Sequence, residues 1–221
     1  MVCGYDADSQ IQRRDRMQRL LVTTGNPGKL LEIKSLLDNL EITFLTPDMI
    51  GIDLHVDENG STYEENASIK ASVFAKESGM VTLADDSGLE VDVLGGLPGI
   101  RSARFSPLPN ASDADRRAYL LDLLQSHPRP WSAHFHCTIA IAAPDERIYY
   151  AQGNCPGIII PEQRGTNGFG YDPIFLIPEI GLTMAELSMS EKNRLSHRAR
   201  AVKAALPILL TILRNRSSFD T

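Results

Sequence analysis

The sequence predicts an α/β fold, and three observations carry that expectation. Leu20 to Leu45 read as strand, glycine loop, helix and strand, a βαβ-like opening. Ala133 to Ala143 alternate apolar residues with period two, and Pro144-Asp145-Glu146 turn that run into a partner strand. The last third of the chain has helical periodicity.

Taken in order, residues 1–18 are polar and charged without periodicity and are read as a tail, with Met17 as an alternative start. Residues 19–216 are read as a single domain and 217–221 as a short C-terminal tail. Leu20 to Thr23 is an apolar strand, Thr24 to Gly28 a loop, and Lys29 to Leu40 a helix with Leu30, Ile33, Leu37 and Leu40 on one stripe. Ile42 to Leu45 forms the next strand. A helix follows from about Thr62 to Ser78, opened by overlapping capping boxes (Ser61 with Glu64, Thr62 with Glu65) and stopped by Gly79. Val81 to Ala84 is a buried strand that ends in Asp85-Asp86-Ser87-Gly88. Leu89 to Leu94 continues apolar, and Gly95 to Gly99 is a turn. Ser112 caps a helix from Asp113 to Gln125, with Asp115 at its third position. Beyond the hairpin, which returns at Ile148 to Ala151, Ile158 to Ile160 and Ile174 to Ile177 have β character. Thr183 caps a short helical piece, and a long helix runs from about Glu191, with Leu195, Ala199, Val202 and Leu206 inward. Pro207 is expected to kink or restart it.

Composition narrows the function classes. Among 221 residues, 43% are hydrophobic and 23% charged, which fits a globular chain and excludes disordered and collagen-like ones. The 22 Lys and Arg against 28 Asp and Glu leave a net charge of −6. A protein that neutralises a nucleic-acid backbone needs a basic excess, so a nucleic-acid polymer is not expected as partner. Any phosphate must be held by a small local cluster. Ala204 to Leu213, the longest apolar stretch, is too short to span a bilayer. Cys3, Cys137 and Cys155 are too few and scattered for a disulfide framework, so a reduced cytoplasmic protein without membrane attachment is expected.

Five segments can carry chemistry. Thr24-Gly25-Asn26-Pro27-Gly28-Lys29 joins a strand to a helix N-terminus, where unpaired amides and the helix dipole favour an anion and Lys29 adds charge. The adjacent carboxylates of Asp85 and Asp86, followed by Ser87, are costly in an apolar setting unless they meet a cation. Oxygen-only ligands of this kind suit Mg²⁺, with Asp57 or Glu58 as further candidates. Asn66 and Lys70 share a helix face, from which Lys70 can reach a phosphate. Gly168-Phe169-Gly170-Tyr171-Asp172 sets an aromatic face and a carboxylate on a flexible loop, suited to stacking on a base. Lys192, His197 and Arg198 form a cationic cluster. On one straight helix Lys192 and His197 would lie about 140° apart and could not both face one ligand squarely. Together these are the parts a nucleoside triphosphate needs.

The motifs TTGNPGK, Glu65 to Ala71 (ENASIKA), Ala84 to Asp92 (ADDSGLEVD), LGGLPG, Gly168 to Phe175 (GFGYDPIF) and Glu191 to Arg198 occur in this order over Leu20 to Arg214. In this the chain resembles the non-canonical purine NTP pyrophosphatases (inosine triphosphate pyrophosphatases). The resemblance implies a two-lobed α/β fold, with a long central mixed β-sheet flanked by helices and an active-site cleft between the lobes, usually as a homodimer. It implies Mg²⁺-dependent hydrolysis of ITP, dITP and XTP to the monophosphate and pyrophosphate. It places the triphosphate on Thr24 to Lys29 and makes Asp86 general base and metal ligand, with Asp85 beside it and Ser87 on the substrate. Phe169 would stack on the purine beside Gly170, Tyr171 and Asp172, while Lys192, His197 and Arg198 grip the substrate. The second metal carboxylate falls on Asp57 or Glu58. Relatives often have Glu-Glu-Thr-Gly where this chain has Asp57-Glu58-Asn59-Gly60, and an aromatic where it has Arg101. A pyrophosphatase for other modified bases and a non-catalytic nucleotide-binding module are the alternative readings. Phe169 with the Ser196-His197-Arg198 segment speaks against the first, and the Asp85-Asp86 pair against the second.

Overall fold

The computed structural model describes residues 18–217. Of the tails expected at 1–18 and 217–221, residues 1–17 and 218–221 lie outside the described residues, whereas Gln18 belongs to the first strand and Ser217 to the last helix. Strands β1 (Gln18–Thr23), β2 (Ile42–Leu45), β3 (Thr82–Val91), β4 (Trp131–Ala142), β5 (Ile148–Ile159), β6 (Phe175–Ile177) and β7 (Leu182–Thr183) form one seven-stranded sheet in the order β2-β1-β3-β4-β5-β6-β7. β1 runs parallel to both β2 and β3, and every other pairing is antiparallel. The sheet is therefore mixed, and its helices are α1 (Pro27–Leu37), α2 (Tyr63–Ser78), α3 (Asp113–Leu124), α4 (Met189–Leu195) and α5 (His197–Ser217).

Local chemistry explains most helix boundaries. Thr62 caps α2 by accepting the Glu65 amide at 3.1 Å, and Gly79 ends it in the left-handed region at φ 65°. Ser112 and Asp115 form the reciprocal box that starts α3.

The longer-range structure corrects four expectations. β3 does not stop at Ala84. All ten of its residues pair with β4, which carries the strand through Asp85, Asp86 and Ser87 to Val91. What ends at Ala84 is the pairing with β1, so beyond that point β3 loses its neighbour on that side. The segments around Ile148 and Ile158 are one strand, because β4 pairs with β5 from Ile148 through Ile159. The helix expected from Glu191 is two helices, since Ser196 is extended (ψ 157°) and breaks it. At Pro207, by contrast, α5 runs on without restarting.

Side-chain alternation along β3 and β4 then builds the two lobes. Leu83, Ile139 and Ile141 join Leu20, Val22, Ile33 of α1 and Val202 of α5 in one apolar cluster. Farther along the same strands, Leu89, Val91, Trp131 and Phe135 join Leu120, Ile174 and Phe175 in a second. Asp85 and Ser87 sit between them on that face. On the opposite face a layer of alanines (Ala67, Ala71, Ala75, Ala84, Ala140, Ala142) lets α2 lie close to the sheet. Gly153 does the same for α5: a Cβ there would meet the His197 carbonyl and the Ala201 amide. This close seat fixes the first turn of α5 over the polar middle of the strands.

Candidate active site

Where β1 leaves β3 unpaired, a cleft of about 710 Å³ opens between the lobes. It is lined by the Thr24–Lys29 loop, the acidic segment at Asp57 and Glu58, Lys70, Asp86, Ser87, the Phe169–Asp172 loop, Lys192, His197 and Arg198. Segments spread over most of the sequence therefore meet at one place.

The two aspartates have different surroundings because neighbours on a strand point to opposite faces. Asp85 is fully buried toward α1 and α5, and its Oδ2 meets Lys29 Nζ at 3.2 Å, Arg198 Nε at 3.2 Å and the Ser87 hydroxyl at 3.3 Å. Burial alone would raise its pKa, yet Lys29 and Arg198 hold the carboxyl well below the usual range. Its Oδ1 is buried without a hydrogen-bond partner among the described residues. Asp86 faces α2 and the cleft. Its Oδ2 accepts the Asn66 amide at 3.1 Å, and its Oδ1 accepts the Ser87 N–H at 2.9 Å. Burial raises its pKa, against the pull of Lys29 and the Asn66 hydrogen bond, with Glu58 adding to the rise. A carboxylate whose pKa is raised and which lines a cleft is suited to accept a proton.

Asn66 also accepts the Gly60 N–H at 2.8 Å, so one side chain ties the acidic loop to Asp86. In that loop Glu58 turns inward to Lys70 Nζ at 2.7 Å, whereas the Asp57 side chain is 74% exposed and meets His55. Among the described residues no three His, Cys, Asp or Glu side chains converge as a ready-made metal cage. The oxygen donors of Asp86 and Glu58 nevertheless fit Mg²⁺, which commonly takes one or two carboxylates and completes its shell from substrate phosphates and water.

The glycine loop differs from expectation. Asn26 caps α1 with its own side chain, its Oδ1 accepting the amides of Gly28 at 2.9 Å and Lys29 at 3.2 Å. The loop is thus not a nest of free amides. The helix dipole and the Lys29 ammonium remain as its anion-binding features.

The cationic cluster is assembled by the break at Ser196. It puts Lys192 on α4 and His197 and Arg198 on the first turn of α5, so all three reach the cleft, which one straight helix would not allow. Lys192 Nζ donates to Asp172 at 2.7 Å and to Glu32 at 2.6 Å. Arg198, only 1% exposed, donates to Glu32, to Asp85 and to the Ser87 hydroxyl at 2.8 Å. Burial would lower the pKa of Lys192, but Asp172 and Glu32 raise it. His197 stacks on Phe135 at 4.7 Å and 16°, and its buried Nδ1 has no hydrogen-bond partner among the described residues. Burial first, then Arg198 and Lys192, push its pKa well down, so the imidazole is neutral at pH 7. The Phe169 ring lies against Gly28, with Lys192 Nζ at 5.4 Å and the Arg198 guanidinium at 5.7 Å from its centroid. Tyr171 is buried and donates to the Ser102 carbonyl at 2.9 Å, backing the aromatic loop from below. Arg101 does not line the cleft.

Glu32 is the functional neighbour that sequence reasoning passed over. It joins Lys192 to Arg198 at the buried centre of an alternating chain: Asp172, Lys192, Glu32, Arg198, Asp85 and Lys29. The available signal was its position next to Ile33 on the inward stripe of α1, where an unpaired carboxylate is not tolerated.

The profile described as Ham1 family matches residues 20–208, most of the chain and every segment of the cleft. The chain belongs to the Ham1 family. A relative from Geobacter sulfurreducens, named dITP/XTP pyrophosphatase, is 49% identical over 84% of this chain and 94% of its own length. One of the same name from Escherichia coli O157:H7 is 44% identical over 90% of this chain and its full length. Among solved structures, a HAM1 protein from Coxiella burnetii superposes with a TM-score of 0.79 at 40% identity, covering 88% of this chain and 99% of its own.

Proposed function

We propose that this Ham1-family chain hydrolyses non-canonical purine nucleoside triphosphates (ITP, dITP and XTP) to the monophosphate and pyrophosphate, with Mg²⁺, and so clears them from the nucleotide pool. The observation that carries the reading is the single cleft in which Asp86, the Lys29 loop, Phe169 and the His197–Arg198 pair meet. The names of the relatives supply the substrate class. A homodimer in the cytoplasm belongs to the same proposal, on the strength of the sequence resemblance. No helix among the described residues is long and apolar enough to cross a membrane.

In this reading Asp86 takes the proton of a water that attacks the α-phosphorus, and pyrophosphate leaves. Asn66 holds the Asp86 carboxylate in place. Lys29 and Lys70 offset phosphate charge at the glycine loop and the acidic loop. Asp86 and Glu58 would hold Mg²⁺, which when bound supplies charge neutralisation at the phosphate oxygens. Glu58 is preferred to Asp57 for its inward position beside Lys70.

The base is sorted by hydrogen bonding. A 6-oxo purine offers an acceptor at O6, and in this reading the neutral His197 imidazole and the Arg198 guanidinium, both of which line the cleft, donate to it. Adenine places a donor there and leaves buried donors unpaired, which is a strong basis for rejection. The test is pyrophosphate release from ITP, XTP and ATP with and without Mg²⁺. The expected result is Mg²⁺-dependent release from ITP and XTP, with kcat/KM for ATP lower by about a hundredfold or more. Equal turnover of ATP would refute the base-sorting role.

A further inference from the structure

We propose that Asp113 and Arg117, one turn apart at the start of α3, are positioning residues that set the pose of the Phe169 platform and hence the affinity for the base. The inference rests on the purine reading above and concerns residues that do not touch the phosphates in it. Gly170 follows Phe169 directly and has φ +59°, a left-handed conformation that side chains rarely adopt. Its polar groups are gripped from both ends. Asp113 Oδ2 accepts the Gly170 N–H at 2.7 Å, and Arg117 Nη1 donates to the Gly170 carbonyl at 2.7 Å. Spacing i, i+4 on α3 puts both partners on one side of the helix, facing the loop.

The clamp is itself braced. Asp113 pairs through its other oxygen with Arg116, whose second hydrogen bond goes to the Ala111 carbonyl, and Arg117 Nε donates to Gln163 at 3.0 Å. Burial works to raise the Asp113 pKa, but the Gly170 amide and Arg116 lower it, so the group stays ionised and its bonds are charge-assisted. On the other side of Phe169, its own amide is held by Asp172 at 3.0 Å. The peptide units flanking the aromatic ring are thus fixed by α3 and by the Lys192-linked carboxylate, while the ring faces the cleft. A stacking surface gains affinity only if its pose is set before the base arrives.

Separate binding measurements on IMP, which has base and phosphate, and on pyrophosphate, which has no base, test the idea. Asp113→Ala and Arg117→Ala are expected to weaken IMP about tenfold, the effect of losing one charge-assisted hydrogen bond, with pyrophosphate affinity unchanged within about twofold. Asp113→Asn keeps a neutral acceptor for Gly170 while losing the charge and the Arg116 pair, and is expected to weaken IMP less than Asp113→Ala does. Thermal unfolding of each variant checks that the fold persists, and Arg117→Lys serves where Arg117→Ala does not fold. Unchanged IMP affinity in the alanine variants, or equal weakening of IMP and pyrophosphate, would overturn the positioning role. Failure of the parent protein to bind IMP would instead sink the purine reading on which it rests.

Discussion

Asp86→Asn is expected to cut pyrophosphate release from ITP by about a thousandfold or more while leaving a folded protein. The loss combines removal of a general base, by itself about 10²–10⁴, with loss of a charged oxygen donor for Mg²⁺. The fold should survive for a reason the structure supplies. Burial raises the pKa of Asp86, so its charge is already held at some cost and an amide of the same shape removes that cost. One of the two hydrogen bonds, from Asn66 or from Ser87, is given up in exchange. Initial rates and a melting curve on the same sample separate the two effects. Near-normal hydrolysis by the variant would remove Asp86 from the mechanism.

Glu32→Ala is expected to have the largest effect on stability, a loss of about 3–5 kcal/mol, because it removes the carboxylate shared by two buried cations and leaves Lys192 with Asp172 and Arg198 with Asp85 alone. Glu32 is 3% exposed, and its partners Arg198 and Lys192 are 1% and 4% exposed, so water cannot replace the lost carboxylate. The pH dependence follows from the same contacts. Burial pushes the Glu32 pKa up, but Arg198 and Lys192 together bring it below its ordinary 4.5. A depressed carboxylate stabilises the fold above its unfolded pKa and loses that contribution as pH falls toward the folded value. The gap between parent and Glu32→Ala in urea unfolding should therefore be full at pH 7 and narrow below about pH 4.5. A difference under about 1 kcal/mol at pH 7 would show that the cations find other partners.

What could be read from the sequence was mostly local. The cap at Thr62 and the Ser112–Asp115 box each lie within a few residues, and the βαβ-like opening and the β4–β5 hairpin join consecutive elements, so short-range periodicity and capping specify them. The extent of β3 through Asp85 and Asp86 was not legible. Two carboxylates and a glycine look like a turn until β4, some fifty residues away in the chain, is seen to pair with all of them. Likewise, Gly153, Pro156 and Gly157 hide the continuity of β5, which the register with β4 imposes. Around the cleft, the residues in compact motifs were found because several chemical groups cluster within a few positions. Glu32, Asp113 and Arg117 are single charges on ordinary helices. Their meaning comes from Arg198 and Gly170, distant in sequence, and no local pattern announces such partners.

The central claim is that Asp86 directs water to the α-phosphorus of a purine triphosphate held across the glycine loop. Hydrolysis of ITP in ¹⁸O-labelled water, with both products analysed by mass spectrometry, tests this most directly. Label in IMP and none in pyrophosphate is the predicted outcome. Label in pyrophosphate, or release of IDP and inorganic phosphate, would place the attack on another phosphorus and contradict the assignment of Asp86.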